Sequence, residues 1–487
     1  MKTPISRRIF FWTLFISYFL TTGIVLFFVF GYRHDARQKI FIHTGSLTLK
    51  TNPKDISIKL NDKEPSSRLI NIINDSYLIT GLRPGEYKLS ILADNFKTWN
   101  KNINIHSGVS TELWNIILLR KNYERTMFNI TNIDKFFPAP AENIFATTQQ
   151  LGKTLLIHAF DTKKNESINS FIFPQTAFTT NQYENIEWSP ESKEMIIPIL
   201  YTDKNNMPDY AIAYTKTNKQ FLLSDFISKE NIHSVRWDPE TKNTIYFLSD
   251  YNLIRTQLTF EDAQLTPNTL INDVIAYDFA DDGIYILNTK GEIWYGGNKK
   301  EAKDLELLST FNIDLTHTNY RLIAYDNHRV MTINDNNGDL FLYNHGEKNT
   351  YNKKLGTKII GAHFSDDGKK LLFYSPFEIF IYFTRDWNGQ PIRVENQMQS
   401  IIRFSQELKN VHFAKDYEHI IYTTGDELKI TELDYRGSRH TDTITTLPKN
   451  TTVIDKHKMN KLFFIDTKDE ITRGLMSIEF PEKETLF

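Results

Sequence analysis

Ile186-Glu187-Trp188-Ser189-Pro190, Val235-Arg236-Trp237-Asp238-Pro239 and Ala362-His363-Phe364-Ser365-Asp366-Asp367-Gly368 are three copies of one phrase. Val411-His412-Phe413-Ala414-Lys415-Asp416 is a looser fourth. An apolar run follows each copy: Met195 to Leu200, Thr244 to Leu248, Lys370 to Tyr374, His419 to Thr423. Recurrence at such a period marks a repeat architecture, and units of four short strands mark a β-propeller. With weaker copies at Phe137-Pro138 and Ile454-Asp455, the anchors fall near 138, 188, 237, 278, 326, 364, 413 and 455. They predict eight blades, or seven if one weak copy is discounted, within residues 123–487. In each, the aromatic packs between neighbouring blades, and Ser-Pro, Asp-Pro or Asp-Gly makes the next turn.

The phrase resembles the TolB-like and WD-like propeller families over about 360 residues. That resemblance implies architecture and leaves function open, since such folds host many activities.

A closed ring needs its first and last strands joined, because an open edge invites pairing with other chains. The last repeat offers three strands, around Val453, Lys461 to Ile465 and Gly474 to Phe480. Thr126 to Ile130 is the expected fourth.

Ile9 to Phe30 carries no charge across 22 residues, enough to span a hydrocarbon core of about 30 Å as a helix. The exit, Phe28-Val29-Phe30-Gly31-Tyr32, has no signal-peptidase pattern, so the reading is an uncleaved anchor. Lys2, Arg7 and Arg8 precede the span, and Arg33, Arg37 and Lys39 follow it. The short tail 1–8 is expected in the cytoplasm, the helix at 9–30, and the bulk of the chain outside. Residues 31–44 read as a polar linker.

Residues 45–120 alternate in strands such as Ser46-Leu47-Thr48-Leu49-Lys50 and Tyr87-Lys88-Leu89-Ser90-Ile91, the pattern of half-buried sheets. Thr51-Asn52-Pro53, Leu82-Arg83-Pro84-Gly85-Glu86-Tyr87 and Asn95-Phe96-Lys97-Thr98-Trp99 resemble a PEGA domain. The resemblance implies a small β-sandwich from bacterial envelope proteins, without catalysis of its own. The family's Pro-x-Gly-Ala phrase is replaced by Pro53-Lys54-Asp55-Ile56.

The overall reading is all-β: one transmembrane helix, a PEGA-like sandwich, then the propeller. Formal net charge is −2, which gives no footprint for nucleic acid. Cysteine is absent, which removes thiol nucleophiles and zinc–cysteine sites and favours a bacterial source or a reducing compartment. No nucleophile elbow, phosphate loop, His-Glu-x-x-His or dinucleotide fingerprint occurs. Asp335-Asn336-Asn337-Gly338-Asp339 fails the spacing of a calcium loop and reads as a hairpin turn. Asn298-Lys299-Lys300-Glu301 reads as a solvated loop tip. No catalytic, cofactor or metal residues are expected.

The residue before each anchor aromatic supplies the candidate site. Glu187, Arg236, His363 and His412 are expected either to face the central channel as a binding ring or to be satisfied locally between blades. The functional expectation is a membrane-tethered, non-catalytic scaffold of the bacterial envelope that binds protein, peptide or glycan through the propeller. The alternative is an envelope glycan-processing enzyme with its site at the channel mouth.

Overall fold

The computed structural model describes residues 5–35, 39–71, 74–203, 206–227, 229–258, 267–297, 304–311, 319–467 and 472–481. The turn at 298–301 lies outside the described residues.

Ile5–Val29 is one α-helix (α1), and none of its apolar window is buried by the rest of the chain. By length and composition it could cross a membrane or serve as a signal sequence. The segment read as a polar linker instead folds. Tyr32–Asp35 and Ile40–His43 pair antiparallel as a hairpin packed against the end of α1. Tyr32 and Phe41 both pack on Phe27.

Two sheets follow. Gly45–Asn52 lies between Ser76–Leu82 and, in parallel, Ser110–Ile117, with Leu69–Asn71 on the outer edge. Ser57–Leu60, Gly85–Leu92 and Trp99–Ile105 form the second sheet. Alternate residues of Gly45–Asn52 and Trp99–Ile105 are buried. Leu47, Leu49, Ile58, Leu89, Ile91 and Trp99 meet in one core between the sheets. Asn61 and Asp62 both take positive φ, as a two-residue hairpin turn of this type requires.

Among the described residues, 126–479 forms eight successive sheets. Their inner strands are Lys135–Pro138, Glu187–Trp188, His233–Trp237, Val274–Ala280, Tyr320–Asp326, Gly361–Phe364, Leu408–Phe413 and Val453–Lys456. Each begins an antiparallel meander. The last sheet has three strands of its own and takes Thr126–Thr131 as its outer fourth, beside Arg473–Glu479. The ring is therefore joined by both ends of this segment.

The cores lie between sheets. Trp188 packs with Phe137, Ala146 and Leu155 of the preceding sheet. Trp237 packs with Ile196 and Ile212, and Phe413 with Leu372 and Ile381. Phe463 of the last sheet meets Phe136, Phe145 and Phe160 of the first, which closes the circuit. The aromatic of each phrase thus faces backward, into the previous sheet.

Candidate functional site: the inner strands and the two ring faces

The repeated phrase works through one backbone bond and one side-chain cap. Ser189 N donates to Glu194 O, Asp238 N to Thr244 O, Ser365 N to Lys370 O and Ala414 N to His419 O, all within 2.8–2.9 Å. Ser365 Oγ accepts from Lys370 N at 3.0 Å, and Asp238 Oδ1 accepts from Glu240 N and Thr241 N. A short polar side chain satisfies the turn's free N–H groups, and where Ala414 follows the aromatic Asp416 Oδ1 accepts from Glu418 N and His419 N instead. The two tryptophans add a second link. Trp188 Nε1 donates to Phe137 O at 3.4 Å, and Trp237 Nε1 to Glu187 O at 3.3 Å.

The residue before the aromatic faces the other way, toward the next sheet. Glu187 Oε1 accepts from Trp237 N at 2.9 Å, and its other oxygen lies 3.5 Å from Arg236 Nε. Arg236 Nη1 donates to Asp278 Oδ1, and Asp278 Oδ2 accepts from Ala324 N at 2.9 Å. Four adjacent sheets are stitched by this carboxylate–guanidinium–carboxylate chain. Burial lifts the Glu187 carboxyl above its ordinary range, against the pull of Arg236. Burial opposes the Arg236 charge, but Glu187 and Asp278 together raise that guanidinium further. Groups so engaged tie neighbouring sheets of the ring together.

His363 and His412 do not join that chain. His363 is exposed. His412 Nδ1 lies 2.7 Å from Asn410 O, so Nδ1–H donates to that carbonyl. Its Nε2 is buried with no protein partner. Burial pushes this imidazole down to about 4, so it is neutral at physiological pH. The four candidates therefore divide into one ion-paired pair, one buried neutral histidine and one exposed histidine. Among the described residues, no group of three or more His, Asp or Glu is arranged to hold a metal ion.

Two residues of this set escaped the sequence reading. Anchors at 278 and 326 are one residue out: the equivalent aromatics are Phe279, paired with Ile284, and Tyr325. Phe279-Ala280-Asp281-Asp282-Gly283 matches Phe364-Ser365-Asp366-Asp367-Gly368 at four of five positions, and that match would have placed Asp278 beside Arg236. The second is Asp455, which stands in the aromatic's position. Both its carboxylate oxygens are buried without a hydrogen-bond partner, and the side chain is 1% exposed. Burial raises this carboxyl to about 8; Lys415 opposes the shift and Asp416 adds to it. His457 Nε2 lies 3.8 Å away.

The inner strands run between two unlike faces. At their starting ends lies a funnel of about 830 Å3, walled by Tyr183, Glu187, Arg236, Tyr277, Arg321 and Asp335. Asn181, Asn185, Asn319 and Asn336 line its rim. Tyr183 reaches the funnel because its sheet's inner edge is interrupted. Thr176–Phe178 and Glu187–Trp188 both pair with Glu194–Tyr201, and residues 179–186 loop out between them. Arg321 sits 4.2 Å from the Tyr183 ring centroid and donates to Asp335 Oδ1 at 2.6 Å.

At the opposite face the sandwich is docked. Lys101, 0% exposed, pairs with Glu432 and donates to Asp434 O at 2.9 Å. Lys97 reaches Asp442 Oδ1 at 3.1 Å. Arg436 bridges Gln390 Oε1 at 2.8 Å and Glu112 O at 2.6 Å. Leu119 enters the core shared by the last two sheets. A cleft of about 610 Å3 remains between the two parts, bordered by Trp114, Trp387 and Arg393.

No family model matches the chain, and no curated protein matches it in sequence. Solved structures do align. A eukaryotic initiation factor is 11% identical, with 80% of this chain and 91% of that one covered and a TM-score of 0.43. The WD40 domain of SCAP from fission yeast is 10% identical, with 74% and 98% covered and a TM-score of 0.40. The dihydro-heme d1 dehydrogenase NirN is 8% identical, with 66% and 67% covered and a TM-score of 0.43. The chain is an all-β protein whose ring of sheets is defined by its own strand order.

Proposed function

We propose that this protein is a non-catalytic, membrane-tethered interaction scaffold: an anchor helix, a PEGA-like sandwich and an eight-bladed propeller of TolB-like or WD-like type. The N-terminus lies in the cytoplasm and the rest outside, in a bacterial envelope. The observation that carries this reading is the division of the ring faces. The sandwich is fixed on one face, and the funnel on the other is lined by tyrosines, asparagines and aliphatic residues such as Ile186, Val235, Ile275 and Leu322, around charges that are already paired. Tyrosine supplies large contact area at low entropic cost, and amides supply adaptable hydrogen bonds. The ion-paired Glu187 and Arg236 and the neutral, buried His412 give no support to acid–base turnover. The ligand is a protein, peptide or glycan partner received at the funnel.

The test uses the full chain in its native membrane with a photocrosslinker at Asn336. A discrete adduct is expected, lost in Tyr183→Ala and retained in Met207→Ala on an outer strand. Turnover of envelope glycans by the wild type, abolished by His363→Ala with His412→Ala, would overturn the scaffold reading in favour of an enzyme.

A further inference from the structure

We infer that the hairpin Tyr32–Asp35/Ile40–His43 is a second membrane contact that lies in the interfacial layer of the bilayer and fixes the pose of the sandwich above it. This rests on the membrane-anchor reading of α1 and adds to it what the chain does on leaving the lipid.

The depth of the hairpin follows from its packing. Phe27 is three residues before the end of the charge-free run, so its Cα lies about 4.5 Å inside that end. The Tyr32 ring stacks on Phe27 at 4.5 Å, and the Phe41 ring meets Phe27 edge-on at 5.1 Å. A hairpin whose aromatics contact Phe27 cannot stand clear of the membrane that holds Phe27. Its free surface suits that depth. Ile40 and Phe41 are 51% and 57% exposed, with no protein to cover them. Interfacial segments bury their apolar face about 5–10 Å into the headgroup boundary.

The polar residues are placed as such a layer demands. Arg33 Nη1 donates to Phe28 O at 2.7 Å, and its guanidinium lies 5.0 Å from the Phe28 ring. It satisfies a carbonyl at the end of α1 and keeps its charge at the boundary. Tyr32 stacks on His43 at 4.7 Å, placing two amphipathic rings where aromatic belts sit.

The hairpin is also welded to the sandwich. Thr44 N and Oγ1 both donate to Gly31 O, at 3.0 and 2.6 Å. Gly108 N donates to Thr44 O, and Ser107 Oγ to His43 O. A Cβ on Gly108 would fall 2.4 Å from the His43 ring, so the contact needs glycine there. Helix end, hairpin and sandwich therefore form one joint, which makes the hairpin's depth a constraint on the whole extramembrane part.

The chain has no cysteine, so single cysteines can be labelled in the otherwise native protein. Ile16→Cys, Ile40→Cys and Met207→Cys would each carry an environment-sensitive fluorophore in full-length protein in phosphatidylcholine–phosphatidylglycerol nanodiscs. Quenching by doxyl lipids should be strong at residue 16, at background at residue 207, and at residue 40 at least a third of that at residue 16. Quenching at 16 with none at 40 would overturn the inference and leave the anchor standing. No quenching at 16 would overturn the anchor reading, and the hairpin inference with it.

Discussion

Lys101 of the sandwich and Glu432 of the ring form an ion pair across 331 residues of sequence, with the lysine fully enclosed. Asp434 O and His440 N complete the shell, the first accepting from Lys101 and the second donating to Glu432 Oε1. A buried ion pair held by directional hydrogen bonds specifies a docking geometry more than it adds stability.

Removing one partner should expose that dependence. Lys101→Met leaves Glu432 buried without its cation and should cost about 3–5 kcal/mol. Lys101→Met combined with Glu432→Leu should recover most of the loss. Urea denaturation followed by tryptophan fluorescence would check both. A single mutant no worse than the double would refute the coupling.

Trp237 joins two sheets through its ring and through its indole N–H. Trp237→Ala should cost about 3–5 kcal/mol, as for a large aromatic in a core. Trp237→Phe keeps most of the packing but strands Glu187 O, so about 1–3 kcal/mol is expected. Equal losses in the two variants, measured by equilibrium unfolding, would mean that the hydrogen bond rather than the packing dominates.

The ring's closure depends on Thr126–Thr131, whose Phe128 and Ile130 enter the core between last and first sheets. A chain lacking residues 123–131 loses that strand and bares the edge of Arg473–Glu479. It should melt less cooperatively and self-associate, in calorimetry and light scattering respectively. Unchanged melting would show that three strands suffice.

Asp455 makes stability depend on pH in a defined direction. Its folded carboxyl titrates at about 8, well above an unfolded aspartate. The native state therefore binds the extra proton, and stability falls as pH rises from about 4 to about 8. His412 works the other way: depressed to about 4, it costs stability as pH falls below about 6.5. The two slopes oppose each other at acid pH, and above about 6.5 His412 no longer offsets Asp455. The facing groups, His457, Lys415 and Asp416, remain in Asp455→Asn. That variant should gain on the wild type by up to about 1.4 kcal/mol per pH unit between pH 6.5 and 8. A difference that does not change with pH would place the shift elsewhere.

The sequence made the ring legible wherever an aromatic was followed by a turn-capping Ser or Asp, because both serve contacts between consecutive strands. It misplaced the anchors at 278 and 326, where a second aromatic, Tyr277, or a polar residue, Asp326, competed for the same role. Asp455 was hidden by the same logic, since a carboxylate in an aromatic's seat reads as a decayed copy. The hairpin after α1 was read as a linker because Arg33, Arg37 and Lys39 dominate its composition. Its fold comes from ring packing on Phe27, which no period reveals. Docking of the sandwich was invisible, because its contacts join residues hundreds apart.

The loop at 179–186 breaks the inner edge of one sheet alone among those described, and it carries Tyr183 over the funnel. A ring of near-equivalent units would accept a visitor in any of several azimuths. This one projection gives it a single index mark. Because the sandwich is keyed to the far side by Lys101, that mark also has a set compass bearing relative to the base. A partner received at the funnel would be presented in one orientation, and so would its neighbours along the surface.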